Sequence, residues 1–254
     1  MGHLGDSFHH VSADYDRGRP RYPPAAVAAM LEGLPEEAHV VDVGAGTGQL
    51  AAALAEAGAR VTAIEPGDET RRLLQRRLDE EVQVLNARAE ALPLPDSSAD
   101  LVVCADSFHW LDATRALAEF RRVLRPGGRL CVCGLVAAWT SEQSGGWAQE
   151  TGAIIRPLWD RFAHPLRATG FAVPTVPAGS GLEEVREEAV PFTWATDRDG
   201  LLALFGSWSA VASLPDDERV EVLSDLARVL DRHAVEALAL SYVAQLRLYA
   251  PAEV

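Results

Sequence analysis

Short apolar runs alternate with alanine-rich or amphipathic stretches over the first two-thirds of the chain, and that alternation predicts strand and helix in turn. His39-Val40-Val41-Asp42-Val43 reads as a buried strand running into a glycine-rich turn. Gln49 to Ala57 predicts an Ala/Leu helix stopped by Gly58. Arg60 to Ile64 predicts a second strand closed by Glu65-Pro66-Gly67, and Asp68 is placed to cap a helix that runs to about Asp79. Glu81 to Leu85 and Asp100 to Ala105 predict the third and fourth strands. A helix is expected from about Asp112 to Leu124, then a turn at Pro126-Gly127-Gly128 and a fifth strand from Arg129 to Val136. This rhythm implies a parallel sheet covered by helices, with right-handed crossovers.

The last third has a different pattern. Helical stretches occupy roughly Gln149–Thr169, Arg198–Ser213 and Asp216–His233. Strand-like runs near Val185–Thr193 and Leu238–Tyr249 flank the latter two. They would extend the sheet at its edge, with the helices as an insertion. The boundary is soft, near Ala138, and a single domain over 1–254 is expected.

Composition narrows the chemistry. The 254 residues are 48% hydrophobic and 24% charged, with a formal net charge of −14. A surface that acidic repels nucleic acid and anionic membranes, so neither is expected as a partner. Every basic residue is arginine, which excludes lysine Schiff-base chemistry and P-loop phosphate binding. Cys104, Cys131 and Cys133 lie in apolar, strand-like runs and are expected as reduced core thiols. The absence of a leader or a long apolar run gives a cytoplasmic expectation. No metal ligand set stands out.

The strongest local feature is Val40-Val41-Asp42-Val43-Gly44-Ala45-Gly46-Thr47-Gly48. Glycines let a ligand approach the backbone where a β-carbon would clash, and the following helix start offers unpaired N–H groups. Glu65 ends the next strand beside that turn, where a carboxylate can accept both hydroxyls of a ribose. The pair reads as a nucleoside-cofactor site. A G-x-G-x-x-G fingerprint counted from Gly44 fails at Gln49, while a relaxed form from Gly46 fits with Gly48 and Ala51. An NAD(P)-dependent oxidoreductase therefore stays open as an alternative. Against it, Asp42 and Glu65 put negative potential where a diphosphate would sit.

Taken in order, Asp42-x-Gly44-x-Gly46-x-Gly48, Glu65, Ala89-Glu90-x-Leu92-Pro93 and Leu124-Arg125-Pro126-Gly127-Gly128 resemble the class I S-adenosylmethionine-dependent methyltransferases, in particular the small-molecule branch called type 11. The lead-in Tyr15-x-x-x-Arg19-Pro20-x-Tyr22-Pro23 and the aromatic turn Asp106-Ser107-Phe108-His109-Trp110 are similar to that branch as well. The resemblance implies a doubly wound, mostly parallel seven-stranded α/β sheet of the Rossmann-like methyltransferase kind, with a helical insertion or lid near the C-terminus. It divides the chain into a lead-in or lid (1–37), a cofactor-binding core (38–137), and substrate-side helices with the final edge strands (138–254). It implies S-adenosylmethionine as donor, S-adenosylhomocysteine as product, and a small-molecule acceptor, with secondary metabolism as the setting. On the donor side it places Asp42, Gly44, Ala45, Gly46, Gly48, Glu65, Pro66, Ala89, Glu90, Asp106 and Ser107. His109 is the candidate general base, its ordinary pKa lying near neutrality. Phe8, Tyr15, Tyr22, Trp110 and Trp139 are the candidates for the acceptor. A monomer or homodimer is expected, and a protein of this fold that binds the cofactor without ordinary methyl transfer remains a further alternative.

Overall fold

A computed structural model of the chain describes residues 12–79, 82–138, 145–162 and 172–252. The core is a seven-stranded sheet. Strand β1 (His39–Val43) is buried at every position and lies between β2 (Arg60–Ile64) and β4 (Ala99–Ala105), parallel to both. β3 (Gln83–Leu85) continues the sheet beyond β2, and β5 (Leu124–Ala137) lies beyond β4. The edge is formed by β6 (Leu182–Asp197) and β7 (Ala237–Pro251), giving the order β3-β2-β1-β4-β5-β7-β6. Ala252 N–H donates to the Gly181 carbonyl and Arg198 N–H to the Glu236 carbonyl. The start of β6 therefore lies beside the end of β7, so the two run antiparallel and the sheet is mixed but mostly parallel. The alternation of short apolar strands with helices produces this arrangement, because the central strands β1, β2 and β4 bury both faces.

Among the described residues the helices are α1 (Ser12–Gly18), α2 (Pro24–Leu31), α3 (Gln49–Glu56), α4 (Asp68–Arg77), α5 (Ala113–Val123), α6 (Gly146–Phe162), α7 (Arg198–Ser207), α8 (Ser209–Ala212) and α9 (Asp216–Arg232). One face of the sheet packs Val41, Val43, Ile64, Val102 and Cys104 with Phe120 of α5. The other packs Val40, Val61, Leu101 and Val103 with Met30 of α2 and Leu50 and Leu54 of α3. All three cysteines are buried and unpaired. The described chain forms two compact units. One comprises Arg21–Val136, Ala172–Val190 and Ala244–Val254, and the other Met1–Pro20, Ala137–Phe171 and Pro191–Val243.

Two expectations from local sequence are corrected. Pro126-Gly127-Gly128 does not separate α5 from the fifth strand. β5 begins at Leu124, opposite Ala99, and its register resumes with Arg129 opposite Leu101, so the glycines form a bulge in the strand. Gly127 takes φ +81° there. Arg125 reaches across to Asp100, the residue the bulge faces, with contacts of 2.9 and 2.7 Å to its two carboxylate oxygens. Asp68 is not the cap of α4. Gly67 holds that position and Asp68 lies in the first turn, where it ion-pairs with Arg71 and favours the helix dipole.

In the second unit, α1 lies against α7 at Gly18. A β-carbon at Gly18 would come within 2.2 Å of the Leu204 backbone nitrogen and 2.3 Å of the Ala203 carbonyl carbon. Gly18→Ala is therefore expected to destabilise by about 1–3 kcal/mol, as overpacking against backbone does. Gly152→Ala, inside α6 with nothing within 4 Å of the added carbon, is expected to stabilise by about 0.5–1 kcal/mol. Thermal melts of the two variants against wild type check both signs.

Candidate functional site

The chain runs outward from β1 through β2 to β3, then returns to place β4 on the other side of β1. The strand order reverses at this point, and open α/β sheets gather ligands beyond the carboxyl ends of the strands flanking such a crevice. Here those ends carry the Gly44–Gly48 turn from β1, Glu65 from β2, and the Asp106–Trp110 turn from β4.

The three glycines of the turn have different reasons to be glycine. Gly44 takes φ +72°, and a β-carbon on it would lie 2.6 Å from Ser107 Cβ. The turns after β1 and β4 touch at this point, and the Ser107 hydroxyl donates to the Val43 carbonyl at 2.6 Å. Gly48 takes φ +84° as the residue preceding α3, and its β-carbon would meet Leu74 Cδ1 at 2.4 Å. Gly46 takes φ +58° with nothing within 4 Å of the position its β-carbon would fill. The fold itself needs the space at Gly44 and Gly48, whereas Gly46 opens outward. The Gly44 and Ala45 N–H groups both donate to the Ile64 carbonyl, at 2.9 and 3.0 Å, which fastens the turn to β2.

The Glu65 carboxylate is held by backbone on both sides. Oε2 accepts from Gly46 N–H at 3.0 Å and Oε1 from Gly67 N–H at 2.8 Å. An ionised carboxylate can accept more than one donor at each oxygen. Asp42, one strand over, is 1% exposed, and neither of its oxygens makes a hydrogen bond. Burial raises its pKa to about 7, the Glu65 charge adds to the rise, and the backbone of Ala51 in the first turn of α3 offsets part of it. A buried carboxylate without partners costs stability, so its retention points to a role that the unliganded fold does not supply.

The turn after β4 is set by backbone. Asp106 sits at φ +51°, unusual for a residue with a side chain, and its N–H donates to the Cys133 carbonyl at 2.9 Å. The Tyr22 hydroxyl donates to Asp106 Oδ2 at 3.4 Å. His109 and Trp110 follow in a 3-10 turn, both half-buried, with ring centroids 4.7 Å apart.

Asp42, Gly44, Ala45, Gly46, Gly48, Glu65, Pro66, Asp106 and Ser107 thus come together at the ends of three neighbouring strands, with Tyr22 joined to them through Asp106. Pro66 is exposed, and its carbonyl accepts from Arg71 at 3.2 Å. Ala89 is buried, in the loop after β3. Glu90 accepts from Asp112 N–H at 2.9 Å, and Asp112 in turn caps α5 by accepting from Arg115 N–H at 3.2 Å. That loop is fastened to α5 by Arg122, which donates to the carbonyls of Leu92 and Leu94, and by Glu119, which accepts from Leu92 N–H. The Arg122 guanidinium beside Glu119 lowers that carboxyl's pKa. Sequence reasoning passed over this clamp. An arginine three residues after a glutamate on a predicted helix is too common a pair to flag it. Tyr15 belongs to the other unit, its ring 5.2 Å from the guanidinium carbon of Arg19. Phe8 and Trp139 lie outside the described residues. Among the described residues no cluster of His, Cys, Asp and Glu is placed to hold a metal, and no helix is long and apolar enough to cross a membrane.

Comparison with known proteins agrees with the geometry. The profile of a family described as a methyltransferase domain matches residues 41–132, from β1 into β5. An uncharacterised methyltransferase of Mycobacterium tuberculosis is 36% identical over 246 residues, covering 93% of this chain and 92% of the relative. A methyltransferase-like protein of Schizosaccharomyces pombe is 30% identical over 227 residues, covering 87% and 85%. Among solved structures, one from Anaeromyxobacter dehalogenans, named for a type II methyltransferase, superposes with a TM-score of 0.63 at 28% identity, covering 91% of this chain and 97% of that one. With the ordered motifs, the sheet order and relatives spanning nearly its whole length, the chain belongs to the class I S-adenosylmethionine-dependent methyltransferases.

Proposed function

We propose that this methyltransferase takes its methyl group from S-adenosylmethionine and delivers it to a small-molecule acceptor. The observation that carries the reading is the pairing of an outward-opening Gly46 with an orphaned, buried Asp42 beneath the same turn. A cationic nucleoside fits both, because it fills space where the fold places nothing and brings positive charge towards a carboxylate that lacks it. Glu65 would hold the ribose hydroxyls, the Gly44–Gly48 backbone and Asp106–Ser107 would flank the amino-acid portion, and Ala89–Glu90 would border the base. The donor supplies a methyl carbon already activated by a positive sulfur, so transfer is an in-line displacement. The protein's part is alignment, worth about 7–11 kcal/mol of barrier when fully realised, and proton removal from the acceptor. His109, half-buried in the turn after β4, is the group we assign to that proton.

Of two partial relatives, the first supports the small-molecule class, and the second is named for an acyl group carried on a protein. A C-methyltransferase of ubiquinone and menaquinone biosynthesis from Rubrivivax gelatinosus is 43% identical over 105 residues, 40% of this chain and 41% of the relative. A malonyl-acyl carrier protein O-methyltransferase from Geobacter sulfurreducens is 37% identical over 131 residues, 48% of this chain and 49% of the relative. Their names differ in the atom methylated, so that atom is not carried over. The net charge of −14 supports an acceptor that is not a polyanion.

Titration calorimetry with S-adenosylhomocysteine and, separately, NADH tests the donor. S-adenosylhomocysteine is expected to bind and NADH is not, and the reverse result would sink the reading. Glu65→Ala removes charged hydrogen bonds to the sugar, and the loss of even one, about 1.5–3 kcal/mol, is expected to weaken S-adenosylhomocysteine by at least tenfold in the same titration.

A further inference from the structure

We infer that Asp42 exchanges its proton for the donor's sulfonium, ionising when the donor binds and taking a proton back once the ligand has become the neutral thioether, so that the site tells fresh donor from spent product by a proton. The inference rests on the proposed donor and adds what the buried carboxyl does over one catalytic cycle.

The surroundings of Asp42 leave it no other response. Its register partners are Ala63 on β2 and Val103 on β4, neither of which carries a polar side chain. The residue is 1% exposed and neither carboxylate oxygen is hydrogen-bonded. Side chains alternate along a strand, so Asp42 shares a face with Val40, the face packed against α2 and α3. Helix α2 holds no titratable residue, and α3 holds only Glu56, at its far end. The titratable groups that do act on Asp42 are Glu65 at the end of β2 and the Cys104 thiol on β4. Burial, and next the Asp42 charge, push that thiol well above its ordinary range, so it stays neutral. Glu65 contributes like charge. Neither supplies a cation.

An ionised carboxylate in such a place is costly, and burial with the Glu65 charge lifts its pKa to about 7. Without a ligand it is therefore about half protonated at neutral pH. A sulfonium brings positive charge but no hydrogen-bond donor, so an acid answers it through ionisation alone. The outward-opening Gly46 leaves room for the ligand at the same turn. Asp42 gives its proton to solvent as the cation arrives. In transfer the carbon–sulfur bond breaks with its electron pair going to sulfur, the acceptor's bond to the methyl carbon forms, and the acceptor loses one proton. The positive charge is then gone, and Asp42 regains the proton it released. It drops out of the overall balance, and the product is left without the attraction that held the donor.

Calorimetry on the full chain, run in phosphate and in Tris because the two buffers differ in ionisation enthalpy, counts the protons released on binding. Subtracting the count for Asp42→Asn removes whatever the ligand's own groups contribute. With S-adenosylmethionine, wild type is expected to release about 0.9 more protons than the variant at pH 6, about half a proton more at pH 7 and about 0.1 more at pH 8. With S-adenosylhomocysteine the two proteins should give the same count throughout. The preference of wild type for S-adenosylmethionine over S-adenosylhomocysteine, relative to that of the variant, should rise about tenfold from pH 6 to pH 8. Asp42→Ser, also uncharged, takes the place of asparagine if that variant does not fold. Equal counts for wild type and variant with S-adenosylmethionine, or the same excess with both ligands, would overturn the inference and leave the donor reading standing. Failure of wild type to bind either ligand would instead overturn the donor reading.

Discussion

Gly46→Ala is expected to leave the chain folded and to cost it about a hundredfold in affinity for S-adenosylhomocysteine. The added carbon meets nothing within 4 Å in the protein, so the penalty to the unliganded fold is the left-handed backbone alone, about 1–2 kcal/mol for an L residue. The ligand meets that carbon directly. Overpacking of this kind costs about 1–3 kcal/mol, and each 1.4 kcal/mol is about tenfold in affinity. The Gly46 N–H also donates to Glu65, so a shift of the turn disturbs the carboxylate assigned to the sugar and pushes the loss towards the upper end. Gly58→Ala is the matched control. Gly58 follows the end of α3 at φ +89°, again with nothing within 4 Å, so the same backbone strain is imposed away from the strand ends. Calorimetry should show unchanged affinity for that variant. Gly48→Ala behaves differently again, because its β-carbon runs into Leu74, fully buried in the core, and the damage appears as a lowered melting temperature. If Gly46→Ala bound S-adenosylhomocysteine as wild type does, the glycine would serve only the turn and its open side would hold no ligand.

What could be seen in the sequence, and what could not, divides by the range of the interaction. The central strands were legible because a strand buried on both faces is written as a near-continuous apolar run, as in Leu101–Cys104 and in Val40–Val43, which only Asp42 interrupts. The positions of Glu65 and the glycine turn followed, since each sits at the end of such a run. Pro126-Gly127-Gly128 was legible as a place where the chain bends. Whether the bend ends a strand or bulges it is decided by register against β4 and by Asp100 reaching Arg125, neither of which is local. Helix α2 carried a signal that went unused, a proline at its first position followed by an alanine-rich run. The contacts that shape the site were beyond local reading. Ser107 meets the Val43 carbonyl across 64 positions of sequence and Tyr22 meets Asp106 across 84. No periodicity encodes such pairs. They exist because the sheet order brings the ends of β1, β4 and β5 together.

Asp42→Asn is expected to make the protein more stable at pH 8 and a poorer binder of its donor. The native carboxyl titrates at about 7 and the reference carboxyl at 3.8. Between those values the native state binds more protons than the unfolded chain, so stability falls as pH rises from about 4 to about 7 and then levels off. The span of roughly three pH units corresponds to a ceiling of about 4 kcal/mol. Asparagine keeps the shape and carries no charge, which removes that penalty but buries an amide whose N–H groups need acceptors, at about 1–3 kcal/mol. The net gain at pH 8 is therefore about 1–3 kcal/mol, or a melting temperature higher by several degrees at about 2–4 °C per kcal/mol. Near pH 4 the gain disappears, because the native carboxyl is neutral there and, this close to the reference value of 3.8, almost none of the charge penalty remains. Binding moves the other way. S-adenosylmethionine and S-adenosylhomocysteine differ by one positive charge at sulfur, so loss of a negative charge beneath the turn should weaken the first more than the second. Melting curves of wild type and Asp42→Asn across pH 4 to 8, with titrations of both ligands at pH 8, measure the two halves. Parallel pH profiles would mean that the carboxylate has found a partner in the fold, and equal losses for the two ligands would mean that it shapes the turn without sensing the sulfonium. A destabilising carboxylate that earns its place only when a cation arrives is the pattern of stability traded for function, and at Asp42 the trade is visible as one buried, unpartnered side chain.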